Sequence, residues 1–267
     1  MATFDAMTVD QSAAVDLLGY GTRIAPAMVL VVALYLILRG QRALPLRIMV
    51  VVLGFLIIRD TLISFGVWGY GLGDGWLPYV RFVNDPLLVT GFAVGSILTT
   101  LFLVLIEKDG RPLLWWGRFN LRSTAWALGG GIILAGGLAA LYQLVPLAER
   151  GGAVPGSMIL PLITVAAFGN LTEDVLVRGY FQGFLMTLLK PWQAAVGAGV
   201  FFSFCHIFLA IELITVFPVP GLHLGIPVML YALIDGLVCA FVRLKAGLLP
   251  AAVSHGMAVF VLATGLI

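Results

Sequence analysis

Eight apolar stretches, each long enough or nearly long enough to cross a membrane, constrain this chain more than any other feature. A spanning helix needs a run of about 18 or more apolar residues. The stretches fall near 23–39, 47–70, 85–106, 123–146, 157–188, 192–215, 225–242 and 247–266. The chain is 61% hydrophobic and 10% charged, which is far more apolar than a soluble domain. The sequence therefore predicts an all-α fold, a polytopic membrane helix bundle with about eight transmembrane helices.

The organisation around these stretches is simple. Residues 1–21 contain three aspartates and lack a basic start followed by an apolar core, so we expect a polar lead rather than a signal peptide. No internal repeat or linker divides the rest, which predicts a single membrane domain over 22–267. The net charge of +2 is small and the basic residues are scattered, which argues against nucleic acid binding.

Lysine and arginine residues indicate the orientation. Ten of them lie in the loops after the first, third, fifth and seventh stretches, whereas three lie in the opposite loops. Loops rich in these residues face the cytoplasm, so both termini are predicted outside it. Arginine outnumbers lysine twelve to three, which is typical of a GC-rich bacterial genome. The predicted location is a bacterial plasma membrane, crossed several times.

Among the ionisable residues inside the apolar stretches of the C-terminal hundred residues, five form three motifs: Glu173, Asp174, Arg178, His206 and His255. A charge near the bilayer centre costs at least about 2.5 kcal/mol, so such residues pair or line a wet cavity. Asp174 and Arg178 are four apart and lie about 40° apart around an α-helix, which predicts an ion pair. Glu173 lies about 100° from Asp174 around the helix, so it points away from this pair and is a candidate for acid–base chemistry. The alternative is a purely structural ion cluster.

The two histidines extend this cluster. Phe202 precedes His206 by one helical turn, so its ring can pack beside the imidazole. Counting 1.5 Å per residue places Glu173, His206 and His255 within about 10 Å of one another in depth. A carboxylate and an imidazole can activate water while a second imidazole donates to the oxyanion, which predicts hydrolysis inside the membrane.

No metal or other cofactor is predicted for this group. A glutamate and two histidines could bind zinc, and this remains the alternative. No His-Glu-x-x-His helix is present, however, to favour it.

The three motifs resemble those of the CAAX protease and bacteriocin-processing family, the intramembrane glutamic endopeptidases that include type II CAAX prenyl proteases. That family carries Glu-Glu-x-x-x-Arg, Phe-x-x-x-His and His-x-x-x-Asn/Asp on successive helices. Here the first motif runs from Glu173 to Arg178, the second from Phe202 to His206, and the third begins at His255. The resemblance covers residues 165–265 and implies a peptidase that cleaves a membrane-associated or lipidated, CAAX-type substrate.

By this resemblance, Glu173 and His206 activate water, His255 stabilises the oxyanion, and Arg178 holds the acidic pair in place. Asp174 stands where the family has its second glutamate and keeps the charge. The catalytic candidates are therefore Glu173, Asp174, Arg178, His206 and His255.

The third motif departs from the family pattern, because Val259 stands where the family has Asn or Asp. Asn170, on the flank of Glu173, is the candidate to replace the lost polar group. Asn170 and Phe202 are the predicted substrate-binding residues. The departure also motivates an alternative function: a catalytically lapsed relative that acts by binding, as an immunity, scaffold or chaperone-like protein.

Three further charges fall in apolar stretches. Arg59 and Asp60 lie in the second stretch and Asp235 in the seventh, so Asp235 is a candidate partner for Arg59. A proton or ion path through these residues is the alternative, and it motivates the third functional class, a small transporter. Its expected sign, a pair of interrupted helices in corresponding halves, is not apparent.

Overall fold

The structure, a computed structural model, is built almost entirely of helices. It describes residues 13–40, 43–63, 68–72, 78–82, 84–144, 146–147, 152–216 and 221–264. The helices are α1 (Ala13–Gly40), α2 (Leu44–Ile63), α3 (Pro86–Ile106), α4 (Leu121–Tyr142), α5 (Ile159–Phe168), α6 (Leu171–Asp174), α7 (Gln182–Leu188), α8 (Pro191–Phe204), α9 (Ile207–Val216), α10 (Gly221–Ala246) and α11 (Leu248–Thr264). Short 3₁₀ turns span Lys108–Leu113 and Gly156–Met158, and a π-helical segment, Val175–Phe181, joins α6 to α7.

The all-α fold class is confirmed, with one small exception. Strands β1 (Trp68–Leu72) and β2 (Pro78–Phe82) form a two-stranded sheet between α2 and α3. Our expectation that the second apolar stretch is helical to residue 70 is therefore wrong. Glycine is frequent in this part of the sequence and lowers helix propensity, while its aromatic neighbours favour strands.

The chain is a multi-pass membrane protein. Five described segments are long and apolar enough to cross a bilayer: Pro86–Ile106, Leu121–Ala140, Gly156–Leu188, Pro191–Ile211 and Gly225–Ala246. Three shorter apolar helices span Ala25–Arg39, Leu44–Ile57 and Leu248–Thr264. Together they correspond to the eight stretches seen in the sequence.

The chain divides into two compact units, Met1–Gly69 and Tyr70–Ile267. In the first unit α1 packs against α2, and α1 begins at Ala13, inside the segment expected to be a polar lead. The single membrane domain over 22–267 stays a prediction. The side chains of Arg59 and Asp60, near the end of α2, lie outside the described part of the structure, so their proposed pairing stays untested.

In the second unit α10 and α11 are the central helices. α10 packs against α4, α8, α9 and α11, and α11 also packs against α4 and α5. Buried Leu134 and Leu138 of α4 share a core with Cys239 and Val242 of α10 and Ala258 of α11. This core fixes the position of α10 relative to α11.

Two of the expected continuous helices are broken. The predicted helix 157–188 is interrupted at Gly169 and Asn170, and the predicted helix 192–215 is interrupted at Cys205 and His206. At the second break the backbone N–H of His206 donates to Ser203 O at 2.9 Å. This is a 3₁₀ pattern rather than an α-helical one, so the carbonyl of Phe202 is left for another donor.

Glycines bring α8 and α10 into direct backbone contact. A Cβ on Gly236 would lie 2.6 Å from the carbonyl oxygen of Gly199, and a Cβ on Gly199 would lie 2.8 Å from the backbone nitrogen of Leu237. Only residues without a side chain allow two helices to approach this closely. The contact places Asp235 and Phe202 on adjoining turns of neighbouring helices.

The loop that follows the Lys108–Leu113 turn holds the start of α11. The backbone N–H groups of Leu248 and Leu249 donate to the carbonyls of Trp115 and Trp116 at 2.8 and 3.0 Å. Gly247, which precedes them, has a φ of +105° that favours glycine. These bonds satisfy amides that a helix N-terminus leaves unpaired and anchor the helix that carries His255.

Candidate active site

Glu173, Asp174 and Arg178 are buried where α6 passes into the π-helical segment. π-helical turns are rare and occur frequently at functional sites. Arg178 lies inside this segment, four residues after Asp174 and five after Glu173.

The predicted pair between Asp174 and Arg178 is confirmed. Nη1 of Arg178 donates to Oδ1 of Asp174 at 2.5 Å, and both side chains are almost completely inaccessible to solvent. A charge-assisted hydrogen bond of this kind is stronger than a neutral one. The pair therefore fixes the side chains on this turn of the helix.

His255 on α11 lies against the same pair. Its Nδ1 is 3.3 and 3.4 Å from the two carboxylate oxygens of Asp174 and 3.4 Å from Nη1 of Arg178. The imidazole is buried, with 5% of its residue surface exposed. The structure thus brings together the first and third motifs, as the sequence predicted.

Asp235 completes the cluster, whereas the sequence had indicated Arg59 as its candidate partner. Oδ2 of Asp235 lies 3.2 Å from Nε2 of His255 and 3.6 Å from Nη2 of Arg178. Its other oxygen, Oδ1, accepts from Sγ of Cys239 at 3.1 Å. Lys245 lies in the last turn of α10, and Asp235 and His255 are each ten residues from it. A count of helical rise from Lys245 would therefore have placed both at the same level.

Asn170 lies beside the ring of His255, with Nδ2 3.2 Å from Nε2. Its backbone conformation at the break between α5 and α6 turns the side chain towards α11. A side-chain amide presents a donor and an acceptor in one plane, so it can pair with either protonation state of the ring. Val259, one turn after His255, is buried and offers no polar group there.

Phe202 connects the second motif to this cluster. Its ring packs against that of His206 with centroids 4.7 Å apart and meets the edge of His255 at 5.8 Å. The guanidinium carbon of Arg178 lies 4.0 Å from the centre of the Phe202 ring, a cation–π contact. Phe202 is therefore in contact with a residue of every motif.

The broken helix gives His206 a defined hydrogen bond. Nδ1 of His206 lies 2.8 Å from the carbonyl oxygen of Phe202, the carbonyl that the 3₁₀ turn leaves available. Because a carbonyl oxygen only accepts, Nδ1 carries the proton of this bond. In the neutral ring the basic lone pair is then on Nε2.

The carboxylates of Asp174 and Asp235 both lie against the guanidinium of Arg178, which balances one of their two negative charges. Among the residues that the structure describes, no group of three His, Cys, Asp or Glu side chains has an arrangement that could hold a metal ion. The zinc alternative stays an untested hypothesis.

A comparison with family models identifies the segment that carries these residues. Residues 155–261 match the model described as type II CAAX prenyl endopeptidase Rce1-like. This segment is therefore similar to the type II CAAX prenyl endopeptidases. The matched segment covers less than half of the chain and contains all the residues of the cluster. No curated protein and no solved structure gives a significant match to this chain.

Proposed function

We propose that this protein is an intramembrane endopeptidase that hydrolyses a peptide bond of a membrane-associated or lipidated substrate. The observation that carries the proposal is the hydrogen bond between Nδ1 of His206 and the carbonyl of Phe202, because it assigns the basic lone pair to Nε2. A buried carboxylate, Glu173, lies in the same segment that matches the type II CAAX prenyl endopeptidase model. A base of defined tautomer and a carboxylate are the groups needed to deprotonate water.

In the proposed reaction, Glu173 and His206 take a proton from water as its oxygen attacks the carbonyl carbon of the scissile bond. The tetrahedral intermediate then collapses, the carbon–nitrogen bond breaks, and the proton passes to the leaving amine. The products are a carboxylate and an amine, so the reaction consumes one water and needs no other reactant. The positive charge of His255 and the amide of Asn170 stabilise the oxyanion. Arg178 and Asp174 hold the turn that carries Glu173.

The proposal is tested by offering candidate membrane-anchored and prenylated peptides to the protein in lipid nanodiscs and identifying products by mass spectrometry. Loss of a general acid or base costs on the order of 100-fold or more in rate, so Glu173→Gln and His206→Gln should each lower kcat by at least that factor. Matched controls make the same chemical changes elsewhere: Glu107→Gln and His223→Gln should cleave at the rate of the unaltered protein. Equal cleavage by all five proteins would contradict the proposal.

Val259 supports a second candidate, a binding protein of the same family without catalysis. The residue is buried in α11 and supplies no donor, and loss of one oxyanion donor costs on the order of 100- to 1000-fold in rate. A deletion strain separates the two candidates. Full complementation by Glu173→Gln favours binding, whereas loss of complementation at normal membrane levels favours catalysis.

A further inference from the structure

The carboxylate of Asp235 accepts a hydrogen bond from a thiol and has ion-pair contacts with an imidazole and a guanidinium. It is buried, with 3% of its residue surface exposed, and it lies close to Nε2 of His255, Nη2 of Arg178 and Sγ of Cys239. These groups come from the π-helical segment, α10 itself and α11. A carboxylate buried this deeply is stable only when its charge is balanced and its oxygens are hydrogen-bonded.

The ring of His255 is held from both sides. Nδ1 lies 3.3 Å from Oδ1 of Asp174, and Nε2 lies 3.2 Å from Oδ2 of Asp235 and 3.2 Å from Nδ2 of Asn170. An ionised carboxylate only accepts, and an imidazole donates from both nitrogens only when both are protonated. A carboxylate beside each nitrogen therefore favours an imidazolium over either neutral tautomer, and the Asn170 amide, with its oxygen and nitrogen exchanged, presents an acceptor to a protonated Nε2.

The charges of the four residues agree with this state. Asp174 and Asp235 carry two negative charges, and Arg178 with a protonated His255 carries two positive ones, so the group is neutral as a whole. This balance is reached without Glu173. A neutral His255 would instead leave one negative charge in excess at a site removed from water.

We propose that Asp235 is a positioning residue that holds His255 as an imidazolium between α6 and α10. The predicted effect of Asp235 on cleavage rests on the proposed function, whereas the protonation state of His255 does not. α11 supplies no polar side chain one turn beyond His255, since Val259 is apolar, so the partner on that side comes from α10. Asp235 thus sets both the orientation of the ring and the positive charge that it presents to a developing oxyanion.

The protonation of His255 is measured without any substrate. ¹⁵N-histidine labelling gives few ring signals, because the chain has only three histidines, and His255→Gln assigns those of His255. At neutral pH we expect both ring nitrogens of His255 to be protonated in the unaltered protein and only one in Asp235→Asn. The matched control, Cys239→Ala, removes the thiol contact with Asp235 but keeps the carboxylate, and we expect two protonated nitrogens.

A neutral His255 in the unaltered protein, or an unchanged imidazolium in Asp235→Asn, would overturn the proposal. If Asp235→Asn does not fold, Asp235→Glu provides the second test. It keeps the charge and is expected to retain the imidazolium; a neutral ring there would overturn the proposal.

Cleavage gives an independent readout. A displacement of about 1 Å at a reacting group can cost on the order of 100-fold in rate, so Asp235→Asn should lower kcat by up to that factor with little change in KM. Adding Val259→Asp, which places a carboxylate one turn after His255, should restore part of the rate. A rate unaffected by Asp235→Asn contradicts this inference and leaves the proposed function intact. Absence of cleavage by the unaltered protein contradicts the proposed function, while the ring signals still decide the state of His255.

Discussion

Asp174 and Arg178 face each other across one turn of helix, with Oδ1 and Nη1 2.5 Å apart and no significant contact with solvent. The same guanidinium reaches Asp235 through Nη2 and lies over the ring of Phe202. Arg178 therefore joins the π-helical segment to α8 and α10. The planar fork of arginine makes these contacts in different directions, which a lysine ammonium cannot reproduce.

Breaking this pair should strongly destabilise the protein. Removal of one partner of a buried ion pair costs about 3–5 kcal/mol, because the other charge is left uncompensated. Asp174→Asn and Arg178→Lys should both lower the midpoint of thermal unfolding in detergent, and the lysine variant should do so although it keeps the charge. Asp109→Asn, at an exposed position, is the control and should change stability by less than about 0.5 kcal/mol. A lysine variant as stable as the unaltered protein would contradict the role given to the guanidinium.

Phe202→Leu should reduce both stability and cleavage. The substitution removes a desolvated cation–π contact worth about 2 kcal/mol and the ring that packs beside His206. Phe201→Leu is the matched control, since Phe201 stacks on Phe181 at 4.2 Å and should lose stability alone. Thermal unfolding and the peptide assay, measured on both variants, separate the two effects. Equal losses of kcat in the two variants would contradict a specific role for Phe202.

Gly236→Ala should separate α8 from α10. Alanine stabilises a helix by about 1 kcal/mol relative to glycine. Here, however, the Cβ of alanine would lie 2.6 Å from the carbonyl oxygen of Gly199. Gly197→Ala provides the control, because its Cβ would meet only the end of the flexible Leu185 side chain at 3.2 Å. We expect lower thermal stability in the first variant and unchanged or higher stability in the second. The opposite order would show that the two backbones are not in contact.

The orientation of the chain is predicted from its lysines and arginines alone. A reporter active only in the cytoplasm should function when inserted between residues 107 and 120 and fail when fused to the C-terminus. A periplasmic reporter should give the reverse result. Activity of the cytoplasmic reporter at the C-terminus, and of the periplasmic reporter between residues 107 and 120, would contradict the predicted orientation.

Sequence patterns predicted the membrane fold and the ion pair within the first motif, because both depend on local properties of the chain. Runs of apolar residues identify spanning segments without reference to neighbours, and a spacing of four residues predicts the pair of Asp174 and Arg178. The breaks at Asn170 and His206 were not predicted, since apolar residues continue on both sides of each. At His206 the side chain competes with the backbone for the carbonyl of Phe202.

What the sequence by itself determined is the membrane-spanning character of the chain and the residue types of its buried cluster, because burying a charge in lipid demands a partner whatever the fold. Which partner each charge finds was decided by the tertiary structure. Asp235 pairs with His255 and Arg178 because Gly199 and Gly236 let α8 and α10 approach and because the core of α4, α10 and α11 sets the two helices at one depth. Such contacts join residues far apart in the chain, and helical periodicity carries no information about them.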